Sequence, residues 1–311
     1  MKSKLDNFDK QYTLKVLPTL GIVLRLCGFI LIGSFLSGLL FSLITGITIT
    51  DFNRMIFKME EETKARFFLL SRQALNALFI YFILPILYIY VFQKDLKQIF
   101  LVRTERLGSF ILLSLLIFIT ALPFLSQLIE FNQQIQLPER LSKLQDVLLR
   151  MEQEAQQITN LIVLYDNWYE IIPILFVVAV LAGIGEELLF RGIIQNEIHR
   201  IYKNPHIAIW LSAALFSFIH FQFQGFLPRM VLGGLLGYLY YWSGSLLIPI
   251  VIHFVNNALT FSLINYARYK GEAFTNTNTS LGFTIISTIV CMILLIACYR
   301  LFSKMKAMSF N

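Results

Sequence analysis

Long apolar runs, separated by shorter polar stretches, dominate the pattern of this chain. They cover approximately residues 20–47, 73–93, 109–129, 170–190, 206–222, 227–243, 246–266 and 281–302. A helix needs about 20 mostly apolar residues to cross the hydrocarbon core of a bilayer. The runs therefore predict an all-α, polytopic membrane protein with about eight transmembrane helices. The fifth and sixth runs are short and contain polar residues, which leaves their ends poorly marked.

The segment 137–162 has a different pattern. Apolar residues recur there at alternating spacings of four and three, with charged residues between them. This pattern predicts an amphipathic helix, and Pro138 lies near its start, where proline is tolerated. We expect the helix to lie on the membrane surface or to pack against a neighbouring helix. It serves either as a packed connector or as a gate that contacts substrate.

Composition supports the membrane interpretation, because 57% of the residues are hydrophobic and only 14% are charged, whereas soluble domains carry roughly 25% charged residues. The net charge of +7 does not indicate a nucleic-acid partner, since the basic residues are scattered through the inter-helix segments. Basic residues at both termini and in the 94–108 loop favour cytoplasmic termini. The 48–72 loop also holds five basic residues, which opposes that orientation.

Polar side chains inside apolar runs are concentrated in the C-terminal half. They are Glu186, Glu187, Arg191, His220, His253, Asn256 and Asn257. The first three runs offer little that is ionisable besides Arg25. A charged side chain at the bilayer centre costs about 2.5 kcal/mol or more, so such residues are expected to be paired or functional. Their confinement to one half of the chain disfavours a transporter built from two repeats.

The two adjacent glutamates have different helical neighbours. Glu187 and Arg191 are four residues apart, so they stack on one helix face, and we expect them to form an ion pair. Glu186 is rotated by about 100° from Glu187 and has no basic partner nearby in the sequence. An unpaired carboxylate in an apolar site suits a general base, and Glu186 is therefore the candidate for that role.

The histidines separate in a similar way. His220 ends an apolar run, and Phe216, one helical turn earlier, is expected to lie against its ring. His253 and Asn257 share a helix face, whereas the neighbouring Asn256 does not. The remaining two histidines, His199 and His206, lie in polar sequence and are predicted to be interface residues.

This set of side chains could perform two kinds of chemistry. In the first, Glu186 with His220 deprotonates a water molecule, and His253 and Asn257 donate hydrogen bonds to the oxyanion that forms. In the second, Glu186, His220 and His253 bind a zinc ion that activates the water, although the compact zinc signature HExxH is absent. Both alternatives predict hydrolysis of an amide bond within the membrane. A third possibility is that these groups only lock the helix bundle.

Three short motifs resemble a known family. Glu186-Glu-Leu-Leu-Phe-Arg191 resembles the EExxxR motif of the CAAX-processing and bacteriocin-processing (CPBP, or Abi) membrane proteases, which are related to the Ras-converting CAAX endopeptidase. Phe216–His220 resembles the FxxxH motif of the family, and His253–Asn257 resembles its HxxxN motif. The resemblance covers about residues 168–266. It suggests N-terminal helices and the amphipathic connector over 1–167, a catalytic core over 168–266, and a last helix with a tail over 267–311.

The resemblance implies an intramembrane endopeptidase with a conical catalytic cavity formed by the later helices. Carried onto this sequence, it assigns water activation to Glu186 and His220 and oxyanion stabilisation to His253 and Asn257. The supporting residues are then Glu187, Arg191 and Phe216. This mechanism requires no cofactor, and zinc is the alternative.

The resemblance also implies a substrate and a location. The partner would be a membrane-bound protein or peptide, prenylated or otherwise lipidated in a CAAX-like way, and the location would be a bacterial inner membrane. The competing interpretation is a non-catalytic bacteriocin-immunity or scaffold protein that retains the pocket.

Overall fold

The computed structural model describes residues 2–48, 50–52, 62–93, 107–271 and 280–308, which form helices joined by short connections and contain no strand. Six of these helices are long and apolar enough to cross a membrane. They are Leu20–Thr45, Thr63–Val91, Leu107–Gln133, Trp168–Tyr202, Leu247–Lys270 and Leu281–Phe302. Large apolar side chains such as Leu31, Phe35 and Leu43 are exposed on the outer faces, as expected of surfaces that meet lipid. The prediction of an all-α polytopic membrane protein is confirmed.

The longer helices of the described chain are numbered in order. They are α1 (Lys2–Thr45), α2 (Glu62–Ala77, continued by Leu78–Ile83, Leu84–Tyr88 and Ile89–Gln93), α3 (Leu107–Gln133), α4 (Ser142–Val163), α5 (Trp168–Tyr202), α6 (Pro205–Phe218), α7 (Phe226–Ser243), α8 (Leu247–Lys270) and α9 (Leu281–Met308).

The predicted count of eight spans is not confirmed. The runs 206–222 and 227–243 form α6, with 14 residues, and α7, with 18 residues, and neither is among the six candidate spans. The two helices pack against each other, while α6 also contacts α5 and α7 also contacts α3. An apolar helix as short as α6 is typical of a helix buried in a protein core. In the described chain, α6 and α7 therefore pack beside the longer helices without meeting the length and apolarity of a candidate span.

Helix α2 begins at Glu62, eleven residues before the predicted run 73–93. Its first turns carry Arg66 and Arg72, which interrupt the apolar pattern without interrupting the helix. The buried Arg66 pairs with Glu170 of α5, and Arg72 Nη1 donates to Ser37 Oγ of α1 at 3.1 Å. The expectation of little that is ionisable besides Arg25 concerned the runs 20–47, 73–93 and 109–129. The second span of the structure, Thr63–Val91, also includes Arg66 and Arg72, and partners on neighbouring helices stabilise these charges.

The amphipathic segment forms α4, which begins at Ser142 after a 3-10 turn over Glu139–Leu141. Its C-terminal residues Ile162 and Val163 are buried in an apolar cluster shared with α2 and α8. Further along the helix, Glu152 Oε2 accepts a hydrogen bond from the backbone N–H of Gln224 at 3.1 Å. Helix α4 thus packs against its neighbours and touches the connection between α6 and α7.

Helix α5 is continuous but not uniform. Two π-helical stretches, Phe176–Leu181 and Leu188–Gln195, lie on either side of the α-helical turn Ala182–Glu187. Such wide turns inside α-helices occur frequently at functional sites. The segment after the second glutamate is buried in an apolar cluster with residues of α1 and α6. The Glu-Glu pair therefore directly precedes a buried segment of α5.

A glycine allows α8 to approach this part of α5 closely. A Cβ atom on Gly183 would lie 3.2 Å from the backbone nitrogen of Phe254 and 3.5 Å from the carbonyl oxygen of Ile250. Both neighbours are backbone atoms, which can move only if the helix moves. Gly183 therefore sets the spacing that brings Glu186 and Glu187 next to His253.

Candidate active site

The centre of the candidate site is a buried cluster of Glu187, Arg191 and His253. Glu187 Oε1 accepts hydrogen bonds from Arg191 Nη1 at 2.8 Å and from His253 Nδ1 at 2.7 Å. The side chain of Glu187 is 0% exposed and that of Arg191 is 2% exposed. Arg191 Nη2 also donates to the carbonyl oxygen of Gly233 at 3.0 Å. The ion pair expected from the four-residue spacing is present, and the bond to His253 adds a partner that the spacing could not predict.

Glu186 lies on the other side of the same imidazole. Its Oε2 atom is 3.7 Å from His253 Nε2, and its side chain is 13% exposed. Glu186 has no basic partner nearby in the sequence, as noted above, and α8 supplies His253 from a distant part of the chain. His253 therefore lies between the two glutamates, one buried and one partly accessible.

His220 belongs to the connection after α6. Its Nδ1 atom is 2.8 Å from the carbonyl oxygen of Phe216. Because a carbonyl can only accept, Nδ1 carries the proton in the neutral ring, and Nε2 is left as an acceptor. Burial lowers the pKa of His220 to about 4, with the positive charge of Arg229 acting in the same direction. The ring is therefore neutral near pH 7, and its Nε2 atom is able to accept a hydrogen bond.

Phe216 touches all three motifs. Its ring centroid lies 4.9 Å from that of His220 and 6.0 Å from that of His253. The Arg191 guanidinium lies over the same ring, 5.2 Å from the centroid. A cation above an aromatic face is attracted to it. The predicted contact with His220 is present, and Phe216 also bridges the buried cluster and the two histidines.

Two asparagines extend the site along α8. Asn257 Nδ2 donates to the carbonyl oxygen of Val178 in α5 at 2.9 Å, and Asn256 Nδ2 donates to Asn257 Oδ1 at 3.1 Å. A primary amide has two N–H groups, so the bond to Val178 leaves the second N–H of Asn257 able to donate. The sequence argument set Asn256 aside because it does not share a face with His253. In the structure it orients its neighbour.

The motif analysis passed over Arg229, in the first turn of α7. Its charge acts on Glu186 and on Glu152 and on His220. The signal in the sequence was an arginine inside an apolar run, the same signal that identified Arg191.

The other two histidines lie outside the site. His206 contacts Tyr238 through Nδ1 at 2.7 Å, and His199 lies near Tyr241. Both make these contacts with α7, at the end away from Arg229.

Within the described part of the chain, no group of three His, Cys, Asp or Glu side chains is arranged as a metal site. Zinc binding by Glu186, His220 and His253 stays a prediction, as does the conical cavity, and the experiment below addresses the metal.

Residues 168–259 match the family described as type II CAAX prenyl endopeptidase Rce1-like. All three motifs lie within the matched segment. The resemblance to the CAAX protease family is therefore confirmed for this part of the chain.

Two curated proteins are similar to part of this chain. It is 30% identical over 105 residues to the uncharacterized protein YpbD of Bacillus subtilis (strain 168), which covers 32% of this chain and 51% of that protein. It is 28% identical over 102 residues to the membrane-embedded CAAX protease MroQ of Staphylococcus aureus (strain USA300), which covers 30% of this chain and 41% of that protein. The chain thus spans about half or less of the length of these relatives. No solved structure matches the chain significantly.

Proposed function

We propose that this chain is an intramembrane endopeptidase, which hydrolyses a peptide bond of a membrane-associated protein or peptide. The observation that carries the proposal is the partly exposed Glu186 carboxylate beside His253 Nε2, backed by the buried pair of Glu187 and Arg191. One carboxylate is thus accessible to reactants while its neighbour has a structural partner. The match of residues 168–259 to the CAAX endopeptidase family supports the same reaction class.

In the proposed reaction, Glu186 and His220 activate a water molecule. Glu186 takes a proton from the water as its oxygen attacks the carbonyl carbon, and the neutral Nε2 of His220 holds the water by accepting its second hydrogen. The carbon–nitrogen bond then breaks, and the proton on Glu186 passes to the leaving amine. The products are a carboxylic acid and an amine, and Glu186 returns to its starting state.

His253 and Asn257 would stabilise the negative oxygen of the tetrahedral intermediate. For His253 Nε2 to donate a hydrogen bond, the ring must carry both protons, and the two glutamates provide a carboxylate at each ring nitrogen. Asn257 would donate through its second N–H. Preorganised donors of this kind each contribute about 100- to 1000-fold to the rate.

The substrate would reach this site within the bilayer, since α5 and α8 are both candidate spans. We propose a membrane-bound peptide or protein, with a prenyl or other lipid group as the anchor. The proposed location is a bacterial inner membrane with both termini in the cytoplasm, as the distribution of basic residues suggests. A relative whose name describes a membrane-embedded CAAX protease is consistent with this substrate class.

The proposal is tested with the full chain reconstituted in liposomes and a quenched library of lipidated and unlipidated peptides. Wild type, Glu186→Gln and the control Glu154→Gln are compared, each with and without a strong zinc chelator. Glu154 is an exposed residue of α4, so its amide variant controls for the loss of one carboxylate. We expect wild type and Glu154→Gln to cleave with or without chelator, and Glu186→Gln to lose cleavage.

The other outcomes each contradict a stated part of the proposal. Loss of wild-type cleavage in chelator would replace the glutamate mechanism by the zinc mechanism. Absence of cleavage of every peptide by the wild type would contradict the proteolytic function and favour a non-catalytic immunity or scaffold protein.

A further inference from the structure

Arg229 has a hydrogen-bonding capacity that the proposed mechanism does not use. Its Nη2 atom donates to Gln222 Oε1 at 2.9 Å, whereas the buried Nη1 atom has no hydrogen-bond partner among the described residues. No carboxylate in the described ranges lies within ion-pair distance of this guanidinium, although the charges of Glu152 and Glu186 act on it. A buried donor without an acceptor is unfavourable, so the position favours a ligand that brings an acceptor.

The surrounding residues hold the guanidinium in one place. A Cβ atom on Gly225 would lie 2.6 Å from Arg229 Nη2 and 3.3 Å from Cζ. The glycine therefore leaves the space that the guanidinium fills, and Gln222 fixes one edge of it. The other edge carries Nη1, which is buried and has no hydrogen-bond partner in the part of the chain that the structure describes.

The connection that carries His220 is itself fixed to other helices. Asn132 of α3 donates through Nδ2 to the carbonyl oxygen of Phe223 and accepts the N–H of Leu227 through Oδ1, both at 2.8 Å. Ser217 Oγ donates to the carbonyl oxygen of Phe226 at 2.7 Å. These bonds keep the end of α6 and the start of α7 in register. Arg229 therefore has a defined position relative to His220 and Glu186.

We propose that Arg229 forms a carboxylate-binding site beside the reacting groups, which selects substrates that carry a negative charge close to the scissile bond. Guanidinium and carboxylate groups match in shape and charge, and such charge-assisted bonds are about twice as strong as neutral ones. The carboxylate comes either from the free C-terminus of the substrate or from an acidic side chain. The proposal rests on the proposed endopeptidase function and deepens it by naming a property of the substrate.

In the test, the full chain is reconstituted in liposomes and supplied with matched peptides. One pair differs only in a C-terminal carboxylate or carboxamide, and a second pair, both amidated, has Glu or Gln near the cleaved bond. We expect the wild type to prefer the acidic member of at least one pair by about tenfold or more in kcat/KM. The pair that responds identifies the source of the carboxylate.

Three variants determine whether Arg229 causes the preference. Arg229→Gln removes the charge, Gly225→Ala keeps the charge but displaces the guanidinium, and Arg200→Gln is a control at an arginine whose side chain is 68% exposed. The preference should fall toward one in the first two variants and persist in the third. Equal cleavage of acidic and neutral peptides by the wild type would overturn the proposal, and so would a preference that survives Arg229→Gln.

A binding measurement separates this proposal from the proteolytic function. Glu186→Gln protein in detergent is titrated with the same fluorescent peptides, and the dissociation constants are compared. Tighter binding of the acidic peptide supports the carboxylate site even if no peptide is cleaved, provided that the difference disappears in the double variant Glu186→Gln, Arg229→Gln. Equal affinities with normal wild-type cleavage would reject the carboxylate site alone and leave the proposed function in place.

Discussion

Two neighbouring residues of the same type, Glu186 and Glu187, have different surroundings in this protein. Glu187 is fully buried and bonds both Arg191 and His253, whereas Glu186 is partly exposed and faces His253 alone within ion-pair distance among the described residues. The cause is the rotation of about 100° between successive helical residues, which turns one carboxylate fully into the bundle and leaves the other partly exposed. The assignment of structure to Glu187 and chemistry to Glu186 follows from that difference.

The first prediction concerns the stability provided by Arg191. Replacing it by glutamine leaves the Glu187 carboxylate buried without its cation, so we expect the free energy of unfolding to fall by about 3–5 kcal/mol. The matched control is Arg268→Gln, whose bridge to Asp166 lies at 2.9 Å between side chains that are 44% and 42% exposed. The control should change stability by about 1 kcal/mol or less. Denaturation of both variants in the same detergent measures the difference, and equal losses would argue against the structural role of the buried pair.

At this scale, the sequence could predict pairs on one helix but not pairs between helices. The four-residue spacing identified Glu187 with Arg191 and the one-turn contact of Phe216 with His220, because both depend only on helical geometry. The bond from His253 to Glu187 depends on how α8 is rotated against α5. The bond from Asn256 to Asn257 lies within α8 but depends on side-chain rotamers. No spacing along the chain encodes those.

At the scale of elements, close helix packing brings the motifs together. Arg191 and Gln195 of α5 donate to the carbonyl oxygens of Gly233 and Gly237 of α7 at 3.0 and 3.1 Å. The two donors are four residues apart on α5, and the two acceptors are four residues apart on α7. One turn of α5 therefore lies alongside one turn of α7. Small residues at such positions let membrane helices approach closely. The same principle acts at Gly183, which faces the backbone of α8.

The second prediction concerns that glycine. In Gly183→Ala, the added methyl group forces the backbone of α8 to move by a few tenths of an ångström, which displaces His253 relative to Glu186. Since a displacement of about 1 Å can cost about 100-fold in rate, we expect kcat to fall by about tenfold. Gly28→Ala in α1 is the control, because its Cβ would meet no atom within 4 Å. If both variants cleave at the wild-type rate, Gly183 does not set the geometry of the site.

The element boundaries show why apolar runs are an incomplete guide. The pattern predicted the amphipathic α4 and the apolar parts of the long spans, since both depend on periodicity or on local hydrophobicity. It began α2 eleven residues late, because Arg66 and Arg72 look like an interface until their partners Glu170 and Ser37 are known. It also counted α6 and α7 as full spans, whereas α6 has only 14 residues and neither helix is among the six candidate spans of the described chain.

At the scale of the whole molecule, the functional groups come from α5, α6, α7 and α8, while the earlier helices support them. Tyr81 and Phe82 of α2 pack against Gly185 beside the two glutamates, and Asn132 of α3 fixes the connection after α6. The matched segment 168–259 contains the motifs but not these supporting contacts. The division of the chain at residues 167 and 266 stays a prediction, and the contacts of α2 and α3 with the site indicate that the parts act together.

The measurement that tests the central claim most directly compares Glu186→Gln with Glu187→Gln. For each variant, peptide cleavage in liposomes and thermal unfolding in detergent are measured beside the wild type. We predict that Glu186→Gln unfolds like the wild type but cleaves about 100- to 10,000-fold more slowly, because it loses its general base. Glu187→Gln should unfold at a clearly lower temperature, because Arg191 loses its buried partner. Cleavage at the wild-type rate by a folded Glu186→Gln protein would contradict the account.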